Sequence, residues 1–351
     1  MIKELSSLRG VFILFIFLHH MSVFPGGGGM GVAFFFVLGG FSMTVGYFDR
    51  INKPSFCYKD YLLRRVVKFY PLHWLCLLAA IPLVLDSFNW ITFGVNAALL
   101  HSWIPKGEFY FSYNAVSWYL ANTMFFAVVF PLLFRCFAPM SKNKRLLWGI
   151  IVASIYICLS IITPDNHRHG ILYIHPLVRL CDFVVGILAG LFFLKIKNDV
   201  NTKVWMEHRS GVAKLLLIVA MFVLVVEAAF LPDKHNYIAV YYWSFILVVI
   251  IVSSLLGSYG YKTVLQNKYL VKFGEYSFPF FLLHQIVIRY VYQFIRPSLC
   301  LLTENRYVLQ VLLIVVCFIF TLFFTVIIQN YLNKPFTQWL TKKILPSTIA
   351  Q

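Results

Sequence analysis

What most constrains this chain is a recurrence: apolar stretches long enough to cross a membrane follow one another from end to end. A lipid interior offers no water to backbone N–H and C=O groups. A segment inside it must close its own hydrogen bonds, and a run of roughly 20 apolar residues does so as a helix. Helices are predicted near 7–23, 31–48, 72–86, 116–135, 146–163, 176–194, 213–231, 238–257, 276–296 and 307–330. The third is short for a span, and residues 88–105 give no clear pattern. At 60% hydrophobic and 12% charged, the composition lies far from the roughly one-quarter charged content of a soluble domain. The expected fold is an all-α, polytopic membrane helix bundle of about ten transmembrane helices.

Charge placement orients the bundle. A formal net charge of +17 fits either a nucleic-acid binder or a membrane protein whose cytoplasmic loops gather Lys and Arg. With the N-terminus inside, 23 of the 30 basic residues fall on internal segments, at 1–9, 50–68, 135–145, 195–214, 262–272 and 334–343. Five fall on external loops: Lys106, Arg168, Lys234, Arg296 and Arg306. Arg179 and Arg289 lie inside helices. This bias predicts two cytoplasmic termini, and its spread over every internal loop excludes nucleic acid as the partner. The seven Cys show no C-x-x-C pair or regular spacing, so neither a disulfide framework nor a metal site is expected. Lys3, Arg9, the apolar run and Pro25–Gly29 imitate a secretory signal, but His19 and His20 directly after the run are foreign to a cleavage region. No hydrophilic domain interrupts the spans. No internal repeat of the kind many secondary transporters carry is visible. The organisation expected is one transmembrane domain over residues 1–335 and a short cytoplasmic tail, 336–351.

Chemistry enters at Leu8–His20, LRGVFILFIFLHH. His20 stands eleven residues after Arg9. At about 100° per residue that is within ~20° of three full turns, so the two share a helix face about 16 Å apart; His19 points ~80° away. Histidine takes and returns a proton near neutrality. Ionisable groups inside spans are costly and commonly functional. The alternative is a histidine hydrogen-bonded within the bundle.

An Arg followed eleven residues later by a His in the first helix resembles the acyltransferase-3 family of membrane acyltransferases. Phe34–Phe41, FFFVLGGF, is similar to that family's FF-x-L-S-G-F, with Gly39 in place of the serine. Leu62–Trp74, LLRRVVKFYPLHW, is similar to its R-x-x-R-x-x-P-x-x-W, with Lys68 in place of the second arginine. LLHSWIP (Leu99–Pro105), NAVSWYL (Asn114–Leu120), PLVRLCDFVVGILAG (Pro176–Gly190) and FGEYSFPFFLLHQIV (Phe273–Val287) follow in the family's order. Thr123 stands where many members carry an acid, so no role for that acid transfers.

The resemblance implies a multi-pass enzyme of a bacterial inner membrane. It would move an acyl group, most simply acetyl, from cytoplasmic acyl-CoA to a hydroxyl of an extracytoplasmic or lipid-linked glycan. His20 is then the expected general base, with Arg9 on its face. Arg64, Arg65 and Lys68, placed just before the third helix, are candidates for the CoA phosphates, although positive-inside charge accounts for them equally. Gly39, Gly40, Asn114 and Trp118 are candidates for oxyanion or substrate contacts; for the glycines close helix packing competes. Arg179, Asp182, Glu227, His284 and Arg289 form either an acceptor pocket or internal ion pairs. Tyr61, Tyr70, Trp74, Trp103 and, as the alternative to its candidate role, Trp118 read as interfacial and packing aromatics. Two further function classes stay open: a transporter or flippase for a polar lipid or glycan, and a non-catalytic scaffold of a polysaccharide export complex.

Overall fold

The computed structural model describes residues 2–198, 210–230, 237–256 and 264–344. These are 86% helical with no strand, as the apolar recurrence requires. Lys203, Arg209, Lys234 and Lys262, counted in the charge bias, lie outside the described residues. The main helices are α1 (Lys3–His20), α2 (Gly27–Tyr47), α3 (Tyr58–Ala80), α4 (Trp90–Ala97), α5 (Trp118–Phe137), α6 (Lys142–Ile162), α7 (Pro176–Asn198), α8 (Ser210–Phe230), α9 (Tyr237–Leu256), α10 (Lys268–Glu275), α11 (Ser277–Tyr290), α12 (Arg306–Ile327) and α13 (Lys334–Ile344).

Among the described residues, seven helical stretches are long and apolar enough to cross a membrane. They correspond to α2, to α3 with its 3₁₀ extension, to α5, α6 and α7, to α11 with its extension to Leu302, and to α12 with α13. Of the boundaries that differ from the sequence expectation, two bear on the site. α1 ends at His20 rather than near residue 23, because the chain turns at Ser22 with φ 60°. The third helix begins at Tyr58 instead of residue 72 and is therefore not short. Its early turns are rich in Lys, Arg and Leu, which form helix well despite low hydropathy.

Contacts divide the chain into two compact units: 1–56 with 125–275, and 57–124 with 276–351. In the first, α2 and α7 make the most extensive pairing. Small residues explain it. A Cβ added at Gly40 would lie 2.9 Å from the Ile187 amide nitrogen and closer still to the Phe183 carbonyl. One at Gly186 would collide with Val37, and one at Gly190 with Thr44. Lipid tails are as apolar as leucine, so helices associate in a membrane through such close contact and its dispersion energy. Phenylalanines fill the rest: Phe12 stacks on Phe34 at 3.8 Å, and Phe126 on Phe183 at 4.9 Å. Gly10 and Gly274 bring α1 equally close to α10.

In the second unit the pattern at 88–105 resolves into α4 followed by turns. The α4 C-terminus is closed by Leu99 at φ 58°, with Leu100 N bonded to Val95 O and Leu99 N to Asn96 O. This is the Schellman arrangement, here without its usual glycine. Three side chains of α3 then donate to the end carbonyls. Tyr70 reaches Ala98 O (3.1 Å), His73 Nε2 reaches Asn96 O (2.9 Å) and Trp74 reaches Ala97 O (3.0 Å). Orphan carbonyls at a helix end need such partners where water is scarce. Tyr70 and Trp74, expected as interfacial aromatics, thus have a specific bonding role.

Candidate active site

α1 is unbroken from Lys3 to His20, so the helical arithmetic holds and Arg9 and His20 occupy one face. His20 is half-buried, and its Nδ1 lies 2.9 Å from Ile16 O. A carbonyl only accepts, so Nδ1–H donates. In the neutral ring Nε2 then carries the lone pair. His20 is thereby oriented and tautomerically set as a proton acceptor. His19 is engaged differently. Its Nδ1 lies 2.8 Å from Pro25 O and 3.3 Å from Phe24 O, bracing the turn between α1 and α2. Its ring rests on Gly28, where an added Cβ would come within 2.8 Å of Nε2. The two imidazoles meet edge to face, centroids 5.1 Å apart.

Gly40 serves packing. Its N–H lies inside α2, where the intrahelical ladder uses it, and its open side faces α7. The oxyanion expectation for this residue is therefore replaced by the close-packing one. Gly39 has room, with its nearest neighbour the Phe183 ring at 3.7 Å, but its N–H is also within the helix.

The same unit joins Arg179 and Asp182 as the i, i+3 spacing predicts, at 2.9 Å and with side chains 0% and 2% exposed. Ser244 donates to the second carboxylate oxygen of Asp182. The guanidinium lies over the rings of Phe36 (5.2 Å) and Tyr173 (5.6 Å), and Tyr156 is buried beside the pair. A charge pair removed from water persists only when it is compensated in this way. Glu227, half-exposed, accepts from the Trp243 indole.

In the second unit, Arg64, Arg65 and Lys68 lie within α3 rather than before it. Their i, i+1, i+4 spacing gathers them on one side of the helix. Arg64 and Arg65 are half-exposed and Lys68 is exposed. Arg65 lies 5.2 Å from the Tyr61 ring and Lys68 5.1 Å from that of Phe69. Three cations so presented can grip an oxyanion, Arg through a planar fork and Lys as a point charge.

Asn114, Trp118, His284 and Arg289 belong to this unit too. Asn114 is buried and donates to Leu282 O at 2.9 Å; Trp118, at the start of α5, is buried too. His284 Nδ1 lies 2.6 Å from Phe281 O. Arg289 donates to Tyr113 O (2.7 Å) and to Leu83 O (3.1 Å). Tyr113 has φ 55°, a strained value for a bulky residue, of the kind that clusters at functional sites. Its hydroxyl donates to Asn89 O at 2.8 Å.

A buried polar network was not anticipated as a site. Ser117 Oγ sits 3.1 Å from His101 Nε2 and 3.3 Å from Asn96 Oδ1, and Asn96 also donates to Ser112. All of His73, Asn96, His101 and Ser117 are 0% exposed. Burial first, then the neighbouring His73, pushes the His101 imidazole down to about 3, so it stays neutral. The signal was present: a histidine and a serine in LLHSWIP and NAVSWYL amid apolar neighbours. Among the described residues, no group of three or more His, Cys, Asp or Glu is placed to hold a metal ion.

The chain's relatives agree with the sequence resemblance. A family profile described as "Acyltransferase domain" matches residues 2–330. The acyltransferase MdmB of Streptomyces mycarofaciens is 27% identical over 287 residues, covering 75% of this chain and 69% of its own. A putative O-acetyltransferase of Staphylococcus aureus (strain COL) is 23% identical over 316 residues; 84% of this chain spans about half, 52%, of that protein. A putative acetyltransferase of Acidianus two-tailed virus is 25% identical over 232 residues, 65% of each chain. No solved structure matches the chain. By a match that runs over nearly its whole length, the chain belongs to the acyltransferase-3 family.

Proposed function

We propose that the chain is an acyl-CoA-dependent O-acyltransferase of a bacterial inner membrane, acting on a hydroxyl of an extracytoplasmic or lipid-linked glycan, with acetyl as the transferred group. The observation that carries this reading is the unbroken α1, with Arg9 and His20 on one face and the His20 Nδ1–H fixed on Ile16 O. In the proposed reaction His20 Nε2 takes the acceptor hydroxyl proton as its oxygen attacks the thioester carbonyl. The C–S bond breaks, the ester forms, and the proton passes to the leaving thiolate to give free CoA. Arg9 orients the donor along that face. Arg64, Arg65 and Lys68 bind the CoA phosphates, supported by their grouping and exposure on α3. Both termini are proposed to be cytoplasmic, and residues 1–335 to work as one acyltransferase domain.

For the acceptor side we assign Arg179, Asp182 and Glu227 in the first unit. In the second we assign Asn114, Trp118, His284 and Arg289. Glu227 and Arg289 retain exposed surface and take the direct contacts; the buried members hold the backbone around them. Relatives named acyltransferase and O-acetyltransferase support the reaction class. The test is calorimetric titration of the purified protein with acetyl-CoA. Saturable binding, reduced in an Arg65→Ala variant, is expected; no heat of binding up to millimolar donor overturns the proposal.

A further inference from the structure

A second ligand site is legible in the first unit, lined by none of the residues assigned to the reaction. A cleft of about 690 Å³ lies between the start of α6, the end of α7 and the middle of α9. That volume falls within the ~300–1,000 Å³ typical of ligand sites. Its walls are apolar: Leu146, Val185, Leu188, Phe192, Phe245 and Val248. Leu146, Phe192 and Phe245 are 65%, 45% and 43% exposed, so the cleft opens sideways along the apolar face of the helices. Gly149 keeps its floor open: a Cβ there would meet only Leu188, at 3.9 Å.

One end of the cleft is cationic. Lys142, Arg145 and Lys195 line it, and among the described residues no carboxylate does. Lys142 and Lys195 are exposed. Arg145 is held in place by donating to Phe137 O (3.1 Å) and Ala138 O (2.6 Å), which leaves further guanidinium donors for an anion. The charge bias of the loops assigns this end to the cytoplasmic surface.

We propose that this cleft binds an anionic glycerophospholipid, its acyl chain lying against Leu188 and Phe192 and its phosphate between Lys142, Arg145 and Lys195. The chemistry is matched at both ends. An acyl chain needs an apolar slot open to the bilayer. A headgroup phosphate needs clustered cations at the cytoplasmic boundary, where basic pockets between transmembrane helices bind anionic headgroups. A zwitterionic lipid would gain from the slot but little from three cations. The inference stands apart from the acyl-transfer reading, since it uses none of the same residues.

The test compares the binding of phosphatidylglycerol and phosphatidylcholine, with identical acyl chains, to the detergent-purified full chain by native mass spectrometry. Phosphatidylglycerol should bind at least tenfold more tightly. Lys142→Gln with Lys195→Gln should lose about fivefold per lysine and approach the phosphatidylcholine level, while Lys142→Arg with Lys195→Arg should keep the preference. Gly149→Leu should fill the floor and weaken both lipids; leucine is the better helix former, so this variant folds. Three outcomes overturn the proposal. One is an equal lipid preference in wild type and the double Gln variant. Another is undiminished binding in Gly149→Leu, which would mean surface adhesion by charge alone. The third is palmitoyl-CoA binding more tightly and displacing phosphatidylglycerol, which would make a long-chain acyl-CoA the occupant.

Discussion

Gly39 and Gly40 are neighbours on α2, and a methyl group added to each should move stability in opposite directions. Inside a helix Gly→Ala gains about 0.5–1 kcal/mol through reduced backbone entropy loss. At position 39 nothing opposes that gain, because the nearest atom is a phenylalanine ring carbon 3.7 Å away, an ordinary contact. At position 40 the methyl enters the backbone of α7, 2.9 Å from Ile187 N and nearer to Phe183 O. Backbone atoms cannot rotate aside, so α2 and α7 must separate, and every facing contact along them loosens. Overpacking a tight interface typically costs 1–3 kcal/mol; with no flexible neighbour the upper end applies. Gly40→Ala should therefore lose about 2 kcal/mol net, and the two variants should differ by about 3 kcal/mol. Thermal aggregation in detergent, followed by size-exclusion chromatography of heated aliquots, reads the difference. Gly39→Ala should melt at or above wild type and Gly40→Ala well below it. Equal midpoints would refute close approach of these two helices as the basis of their pairing.

Three other outcomes follow from the same geometry. Arg65→Ala and Lys68→Ala should each weaken acetyl-CoA binding about tenfold by losing a charge-assisted phosphate contact of ~1.5 kcal/mol, while Lys68→Arg retains it; unchanged affinity in both Ala variants, by calorimetry, would return these cations to a topological role. Asp182→Asn should cost about 3–5 kcal/mol because it leaves Arg179 charged, buried and uncompensated; chemical denaturation of the variant checks this, and a loss below 1 kcal/mol would contradict the pairing. His101 should make the fold acid-sensitive: its folded pKa of about 3 lies below the ordinary 6.5, so the unfolded chain binds the extra proton and stability declines as pH falls below 6.5 and levels off below 3. By linkage this is roughly 2 kcal/mol at pH 5, and a His101→Gln variant should lose that component of the pH dependence.

How much of this was readable in advance depended on the range of the interaction. The spans were legible because lipid solvation is a property of composition. Arg9 with His20, and Arg179 with Asp182, were legible because the spacing within one helix fixes which side chains share a face. The start of α3 was not. Hydropathy penalises Arg64, Arg65 and Lys68, yet these residues are good helix formers, and the helix continues past Pro71. The tautomer of His20 depended on the helix ending at its own position, with Ile16 O turned toward the ring. Gly39 and Gly40 suggested close packing without naming α7 as the partner, since partners on different helices share no sequence period. The network of His73, Asn96, His101 and Ser117 was hidden for the same reason: its members come from four separate segments, and only the folded chain brings their polar atoms within 3.5 Å.

The central claim is that His20, not His19, accepts the proton in acyl transfer. Transfer of radiolabelled acetyl from acetyl-CoA to glycan, in membranes holding matched amounts of His19→Ala and His20→Ala protein, tests it most directly. His20→Ala should still bind acetyl-CoA but fall by about 10²- to 10⁴-fold in rate, the usual loss for a general base. His19→Ala should keep most of its rate and lose thermal stability instead, because it releases the brace on Pro25 O and Phe24 O. Equal loss in the two variants, or full activity in His20→Ala, would contradict the assignment of the base to the Arg9 face of α1.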